Sequence, residues 1–265
     1  HAGTLDPMAT GVLVVGLGQA TRLSEYLGGA TKSYRATIRL GVVTDTWDAD
    51  GRILEKRPVE GMGQEALLAA LAQFTGRIWQ TPPMFSAIKQ HGQPLHRLAR
   101  QGITVEREPR QVEISRLELL AWYPPDAEVE LDCSKGTYVR SLAHDLGQAV
   151  GTGATLASLQ RTAVGPFRLA DAQPLDRLWA ERDQRSWQQR MLSMADAVAD
   201  WPCVTVDDAV ARALGHGQQV EIAAGALVPP VAAFDAQHRL VALIEPSDCP
   251  NGWKPVKVFV SDGTP

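Results

Sequence analysis

Apolar and polar residues follow two strand-like patterns in the first half of the chain. Alternation over residues 34–40 predicts a strand with one buried face. Residues 128–133 alternate in the same way, with three apolar side chains on one side. The continuous apolar run at residues 12–15 predicts a short buried strand near the start of the chain.

Apolar residues at helical spacing predict further elements. Residues 64–74 and 138–150 each place their apolar side chains on one face, and Gly151 ends the second helix. A shorter helix is predicted at residues 95–101. Residues 175–199 are charged and are predicted to be helical.

The composition changes after residue 200. A short helix is predicted at residues 207–214, and proline and glycine residues separate several short apolar runs. These runs predict strands near residues 220–222, 231–234, 240–244 and 256–260. We therefore expect an α+β protein with a mixed, mainly antiparallel sheet in a domain at residues 1–200, and a small β-rich domain at residues 201–265.

Composition narrows the class of protein. The three cysteines are Cys133, Cys203 and Cys249, which are too far apart in sequence for a typical zinc or disulfide framework. No apolar run reaches the length of a membrane span, and no signal-peptide pattern is present. The sequence therefore predicts a cytoplasmic protein with no metal site and no membrane partner.

Charge is distributed unevenly along the chain. The formal net charge is −4, yet residues 76–116 contain seven Lys and Arg residues against three Glu, a local excess of four positive charges. Residues 80–106 are basic, contain three prolines and lack a clear period, which predicts a long surface loop, here called the basic loop. Acidic residues such as Asp45, Asp48 and Asp50 lie elsewhere. This separation predicts a basic face, although an ordinary solvated surface remains an alternative.

The first residues read HAGTLDPMATGVLVVGLGQATRL. The apolar run ends in Gly16-Leu17-Gly18, which is similar to the start of a dinucleotide-binding fingerprint, but Thr21 stands where the third glycine is required. Asp6 precedes Pro7, which pushes the aspartate backbone out of the helical region and can present its carboxylate from a stiff turn. The stretch alone leaves a plain strand with polar turns open.

Five segments together resemble the TruB family, the bacterial tRNA pseudouridine-55 synthases. They are the opening motif, KSYRATIRLG at 32–41, QTPPMFSAIKQHGQPLHRLARQGI at 80–103, CSKGTYVRSLAHDLG at 133–147 and LQRTAVGPF at 159–167. The end of the chain resembles the PUA-type RNA-binding domain of that family. Family members carry a further segment before the opening motif, with a strand that contains lysine and proline, and this chain begins at the motif itself.

The resemblance implies a pseudouridine synthase fold and isomerisation of uridine in the T arm of tRNA, without cofactor or metal, by a monomer. It implies that Asp6 is the nucleophile, paired with Arg140, and that Tyr34 stacks on the flipped base. Tyr138 and Leu159 match residues that line the uracil pocket. The residues that would contact RNA are His1, Lys89, Arg97, Arg100 and Arg161.

Three other functions stay open at this point. A non-catalytic RNA-binding or tRNA-folding protein would need the basic loop but not the aspartate. A nicotinamide oxidoreductase would need the fingerprint that Thr21 interrupts. A hydrolytic glycosylase would use Asp6 with a second carboxylate.

Overall fold

The computed structural model describes residues 1–90, 92–184, 186–222, 227–249 and 251–259. The chain forms two compact units, one of residues 1–15 and 25–172 and one of residues 16–24 and 173–265. The predicted domain boundary after residue 200 stays a prediction. Within the described residues, no helix has the length and apolar character that crossing a membrane requires.

The first unit is built on a seven-stranded sheet. Its strands, and those of two small hairpins, are Thr10–Gly11 (β1), Lys32–Leu40 (β2), Val42–Thr44 (β3), Ile53–Lys56 (β4), Gly76–Gln80 (β5), Lys89–Gln90 (β6), Gln93–Pro94 (β7), Arg110–Tyr123 (β8), Asp126–Cys133 (β9), Ala154–Val164 (β10) and Phe167–Arg168 (β11). The order is β1-β10-β2-β9-β8-β5, with β11 also paired to β10. Every pair is antiparallel except β1 with β10, which confirms the predicted mainly antiparallel sheet.

The helices of this region are short. They are Ser24–Leu27 (α1), most of which lies in the first unit, Gln64–Ala72 (α2), Leu95–Arg100 (α3) and Val139–Ala149 (α4), with a 3-10 turn at Leu169–Asp171. The 3-10 turn at Gly18–Leu23 precedes α1 and belongs to the second unit. Helix α4 follows the predicted bounds closely, and Gly151 just after it has a φ of 80°, a conformation that glycine adopts at little cost.

Strict alternation in two neighbouring central strands creates the main core. Every second residue of β2 and of β9 is buried, as the sequence pattern predicts. The buried faces of both strands pack against α2 and α4, whose leucines, Leu67, Leu71, Leu142 and Leu146, belong to the same hydrophobic cluster. A strand with one buried face needs this helical cover, and the cover places the start of α4 beside the sheet.

The predicted strand at residues 12–15 is wrong. In this region only Thr10–Gly11 pairs as a strand, parallel to β10, while Leu13 and Val15 are exposed. Gly11 explains the geometry, since a Cβ atom added there would lie 2.2 Å from the carbonyl oxygen of Arg161. The chain approaches β10 so closely at this glycine that it pairs briefly and then leaves the sheet edge.

The predicted helical stretch at residues 175–199 is helical only in part. The structure has Leu175–Ala180 (α5), a 3-10 turn at Ser186–Arg190 and Met194–Ala197 (α6). Ser193 begins α6 with a capping box, in which its hydroxyl accepts from the backbone N–H of Asp196. A side chain that caps a helix start competes with a continuous helix, so the apolar periodicity is interrupted there.

The second unit contains a five-stranded sheet and one longer helix. The strands are Cys203–Thr205 (β12), Val220–Glu221 (β13), Val231–Phe234 (β14), Leu240–Pro246 (β15) and Gly252–Val258 (β16), in the order β12-β14-β15-β16-β13. Helix Asp208–Gly215 (α7) begins at Asp207, whose carboxylate accepts from two backbone N–H groups. The predicted β-rich character is confirmed, while Val260, at the end of the last predicted strand, lies outside the described residues.

Candidate active site

The candidate site is built around an ion pair between Asp6 and Arg140. Asp6 lies in the turn before Pro7, and its side chain is 29% exposed. The Nε and Nη2 atoms of Arg140 donate to its two carboxylate oxygens at 2.9 and 2.7 Å. Such a bidentate pair fixes the plane of the carboxylate.

Arg140 is held on every edge of its guanidinium. It occupies the first turn of α4, and its side chain is 5% exposed. Nη2 also donates to the carbonyl oxygen of Phe85 at 2.9 Å, and Nη1 donates to that of Thr46 at 3.4 Å. The carboxylate of Asp48 lies 3.5 Å from Nη1. Five N–H groups therefore face five oxygen atoms. The contacts to Phe85, Thr46 and Asp48 hold the guanidinium in its orientation toward Asp6.

Asp48 is a site residue that the sequence interpretation missed. The sequence shows it only as one of the acidic residues outside the basic stretch, and its side chain is only 6% exposed. The hydroxyl of Thr46 donates to its carboxylate at 2.5 Å, and the backbone N–H of Asp50 does so at 3.2 Å. Burial raises its pKa. The T-x-D-x-D spacing indicates a side-chain-capped turn, but nothing in it indicates the partner on α4.

Two tyrosines, Tyr34 and Tyr138, lie close enough to Asp6 for its charge to affect the pKa values of their phenols. Tyr34 in β2 is buried, and burial, together with the nearby carboxylate, raises the pKa of its phenol, while Arg161 opposes the shift. Burial likewise raises the pKa of Tyr138, which precedes α4. The side-chain amide of Gln80 fixes Tyr138, since it donates to its carbonyl at 3.2 Å and accepts from its N–H at 3.0 Å. Both phenols are therefore protonated near neutral pH.

Arg161, which is predicted to contact RNA, lies in the interior of the first unit. This residue of β10 is 1% exposed. Its guanidinium donates to the backbone carbonyls of Gly3 at 3.1 Å, Thr4 at 3.2 Å and Val12 at 2.7 Å. Those carbonyls lie on both sides of Asp6 in the chain. Arg161 therefore supports the loop that carries Asp6, and its donors face away from solvent.

The other predicted pocket residues occupy different environments. Leu159 in β10 is buried in the same hydrophobic cluster as Tyr34. Two residues further along β10, Arg161 is paired with Tyr34 of β2. His1 is exposed. Their predicted roles in the uracil pocket and in RNA contact stay predictions.

The basic loop presents its predicted RNA contacts to solvent. It contains the β6–β7 hairpin followed by α3, and Leu95 anchors it as a buried side chain. Lys89 lies on the hairpin, while Arg97 and Arg100 lie in the last turn of α3, and all three are exposed. At its other end the loop reaches the ion pair directly, because the carbonyl of Phe85 accepts from Arg140. Residue 91 lies outside the described part of the loop.

Metal chemistry has no ligand set in the described ranges. No group of three or more His, Cys, Asp or Glu side chains there is placed to hold a metal ion.

Three family models match consecutive parts of the chain. Residues 1–139 match the N-terminal domain of the TruB family pseudouridylate synthases. Residues 140–199 match the C-terminal domain of tRNA pseudouridylate synthase B, and residues 201–260 match the C-terminal region of tRNA pseudouridine synthase II. The sequence resemblance is therefore confirmed.

Curated relatives agree with these models. The chain is 46% identical over 223 residues to tRNA pseudouridine synthase B of Pseudomonas aeruginosa strain UCBPP-PA14, covering 83% of this chain and 73% of that protein. It is 45% identical over 259 residues to the protein of the same name in Burkholderia pseudomallei strain 668, covering 94% and 83%.

Solved structures share the fold. A crystal structure of a Cbf5–Nop10–Gar1 complex matches 99% of this chain and 75% of its own, with a TM-score of 0.70 and 26% identity. The structure of an H/ACA RNP bound to a substrate RNA containing 2′-deoxyuridine matches 98% and 76%, with a TM-score of 0.71 and 24% identity. The second likeness concerns the fold alone.

Proposed function

The chain belongs to the TruB family of pseudouridylate synthases and isomerises uridine 55 of tRNA to pseudouridine; we propose that Asp6 is its nucleophile. The observation that carries the proposal is the bidentate pairing of this partly exposed carboxylate with a buried arginine. A carboxylate that is oriented and open to solvent on one side is equipped to attack a substrate.

The reaction moves one bond and two protons. The bond between N1 of uracil and C1′ of ribose breaks, the base turns, and a bond from C5 to C1′ forms. C5 loses its proton and N1 gains one, so the product has the composition of the substrate. An isomerisation of this kind consumes no oxidant, no reductant and no phosphate donor.

Asp6 has three chemical routes. Its carboxylate attacks C1′ of the sugar, attacks C6 of the base, or removes a sugar proton on the way to a glycal. Each route needs a carboxylate oxygen held in a fixed direction, which the guanidinium of Arg140 provides through two charge-assisted hydrogen bonds. The geometry of Asp6 with Arg140 supports all three equally.

Tyr34 is proposed to hold the base and to relay protons: its phenol, protonated at the start, gives up its own proton to solvent as its oxygen accepts the proton that C5 loses. Its ring stacks on the extruded uracil, and its hydroxyl lies close to C5 in this arrangement. Tyr138 and Leu159 are proposed to line the pocket, because Tyr138 shares the Asp6 environment and Leu159 shares the Tyr34 cluster. Base flipping costs roughly a few kcal/mol, and stacking and hydrogen bonds in the pocket recover this cost.

The RNA interface is proposed to include the basic loop. Lys89, Arg97 and Arg100 contact phosphates of the T arm and position it, while His1 supports the RNA where the base is extruded. The enzyme acts as a monomer, and we infer a cytoplasmic location from its tRNA substrate.

Neutralising Lys89, Arg97 and Arg100 to Gln should flatten the plot of log affinity against log salt by roughly two to three units of slope. An unchanged slope would place the RNA on another surface.

The decisive experiment compares the wild type with Asp6→Asn. Unmodified tRNA transcript is incubated with each protein, and pseudouridine is mapped by chemical labelling. We expect modification at position 55 with the wild type and none with Asp6→Asn, while tRNA affinity and thermal unfolding stay close to those of the wild type. Substantial pseudouridine from the variant would disprove the nucleophile. Free uracil among the products would instead indicate a hydrolytic glycosylase.

A further inference from the structure

Trp47 has a backbone conformation that is unusual for its size. Its φ is 65°, in the left-handed region where bulky side chains are rarely found. Strain of this kind persists only when surrounding contacts fix the residue, and it is concentrated at functional sites. Trp47 stands between Thr46 and Asp48, and both of these contact the Nη1 atom of Arg140.

The backbone of this turn is tied to the sheet. The N–H of Leu156 in β10 donates to the carbonyl of Trp47 at 3.0 Å, and Asp48 forms a bridge with the same leucine. These contacts fix the turn at one side of Arg140. The Thr46 carbonyl and the Asp48 carboxylate accept from Arg140. Their direction therefore depends on the contacts that hold the other side of the turn.

The indole ring provides the second attachment. It stacks on the imidazole of His144, with ring centroids 4.1 Å apart and an interplanar angle of 11°. His144 lies four residues after Arg140 on α4, so the two side chains emerge from the same helix face. Burial and the charge of Arg107 lower the pKa of His144, which keeps the imidazole neutral near neutral pH. The turn therefore meets α4 at two points, one turn of helix apart.

Arg107 connects the same ring to the basic loop. Its guanidinium carbon lies 5.6 Å from the centroid of the Trp47 ring, within range of a cation–π interaction. Its Nη1 atom donates to the carbonyl of Pro82 at 3.1 Å, so it joins the two ends of the loop. Phe85 of the same loop accepts from Arg140. The loop thus contacts the guanidinium directly and also through Arg107 and Trp47.

We propose that Trp47 is a positioning residue for the isomerisation. Its ring, held by His144 and Arg107, keeps the Thr46 carbonyl and the Asp48 carboxylate against Nη1 of Arg140. The opposite edge of the guanidinium then stays aligned with Asp6 while the basic loop engages RNA. The inference rests on the proposed roles of Asp6 and Arg140, and it makes the chemical step, not RNA affinity, depend on an indole that has no part in the bond changes.

The test compares Trp47→Ala and Trp47→Phe with a matched control, Trp79→Ala. Trp79 is 68% exposed on β5 of the same unit. The single-turnover rate of pseudouridine formation at saturating tRNA and the tRNA dissociation constant are measured for each. We expect Trp47→Ala to slow turnover roughly 10- to 100-fold, as a displacement of about 1 Å at a reacting group does. Its dissociation constant stays close to that of the wild type, and Trp47→Phe recovers most of the rate because it can still stack.

A second series covers the possibility that Trp47→Ala does not fold. Arg107→Met and His144→Ala each remove one neighbour of the indole, and each is expected to slow turnover without the affinity loss of a binding residue. Combined with Trp47→Phe, their effects should be smaller than the sum of the separate effects, because all act through one stack. A simple loss of stability would give neither the rate-specific effect nor the rescue by phenylalanine.

The overturning results are specific. Wild-type activity and the inactive Asp6→Asn protein establish the reaction first, so later failures concern Trp47 alone. Turnover at the wild-type rate in folded Trp47→Ala disproves the positioning role. A weaker tRNA affinity with unchanged turnover also disproves it and makes Trp47 an RNA-binding residue. Equal slowing by Trp79→Ala would show that the effect is not specific to the stack.

Discussion

Two arginines of the first unit are almost completely buried, and they are used in opposite ways. Arg140 at the start of α4 faces the carboxylates of Asp6 and Asp48. Arg161 in β10 donates to three backbone carbonyls of the loop around Asp6. Among the described residues, no carboxylate forms an ion pair with Arg161.

The partners decide what each arginine does. A buried cation must find acceptors, because burying an unpaired charge costs far more than burying a paired one. Backbone carbonyls meet that need for Arg161, and also for the nearby Lys32, which donates to the carbonyls of Gly28 and Ala30. Carbonyls cannot react, so these cations stabilise a shape. Arg140 differs because one of its partners, Asp6, is partly exposed and able to meet a substrate.

Removing Arg140 should have the largest effect on activity. Arg140→Met leaves Asp48 buried without its cation and leaves Asp6 unoriented, so we expect turnover to fall roughly 100- to 1,000-fold or more. The free energy of unfolding should also fall by about 3–5 kcal/mol, as for other broken buried pairs. Single-turnover assays and denaturant unfolding measure the two effects. Arg140→Lys is the matched control.

Lysine keeps the charge but cannot bind both carboxylate oxygens in a plane. We therefore expect Arg140→Lys to regain stability but little activity. Full activity in the lysine variant would show that charge alone, without the bidentate geometry, supports Asp6.

Removing Arg161 should affect stability more than chemistry. Arg161→Met leaves three carbonyls around the Asp6 loop without their donors, and we expect a loss of about 2–4 kcal/mol in the free energy of unfolding. Below the melting temperature, turnover should fall less than in Arg140→Met. Denaturant unfolding and turnover at a low temperature provide the two measurements. Unchanged stability with greatly weakened RNA binding would restore the RNA contact predicted from the sequence.

The smallest expected effect concerns Asp145, a half-buried carboxyl on α4. Burial raises the pKa of Asp145 to about 6 from the ordinary value of 3.8. The unfolded chain therefore loses this proton first, so stability falls as pH rises from 3.8 to about 6 and is constant above that range. Asp145→Asn should raise the melting temperature at pH near neutral by a few degrees, on the order of the shift for 1 kcal/mol.

That gain should disappear below the lower pKa, where the wild-type carboxyl is protonated in both states. Melting curves at neutral and at acidic pH test the sign. A gain that persists unchanged at acidic pH would assign it to packing and not to the charge.

The sequence predicted those parts of the fold where one periodicity persists without interruption. Strands β2 and β9 keep strict alternation, and α2 and α4 keep helical spacing. The long strand β8 and the strand β10 were not predicted. Both contain register shifts where an extra residue enters the ladder, and such a bulge moves every following side chain to the other face.

The candidate site divides along a similar line. Asp6 and Arg140 were assigned through the family resemblance, and the structure brings them together. Asp48 and the true surroundings of Arg161 depend on contacts between residues about 90 to 160 positions apart, 92 from Asp48 to Arg140 and 149 from Arg161 to Val12. Local spacing holds no information on such pairs, and a charged residue is mostly exposed by default.

The five-fold engagement of Arg140 has a consequence for how substrate enters. Every N–H group of its guanidinium already faces an oxygen atom, so a uridine oxygen can bind there only by replacing one of these oxygens. Within the described part of the basic loop, Phe85 supplies the acceptor that contacts Arg140. If the loop shifted by about the width of one atom, the Phe85 carbonyl would leave Arg140, and a uridine oxygen could accept the hydrogen bond in its place.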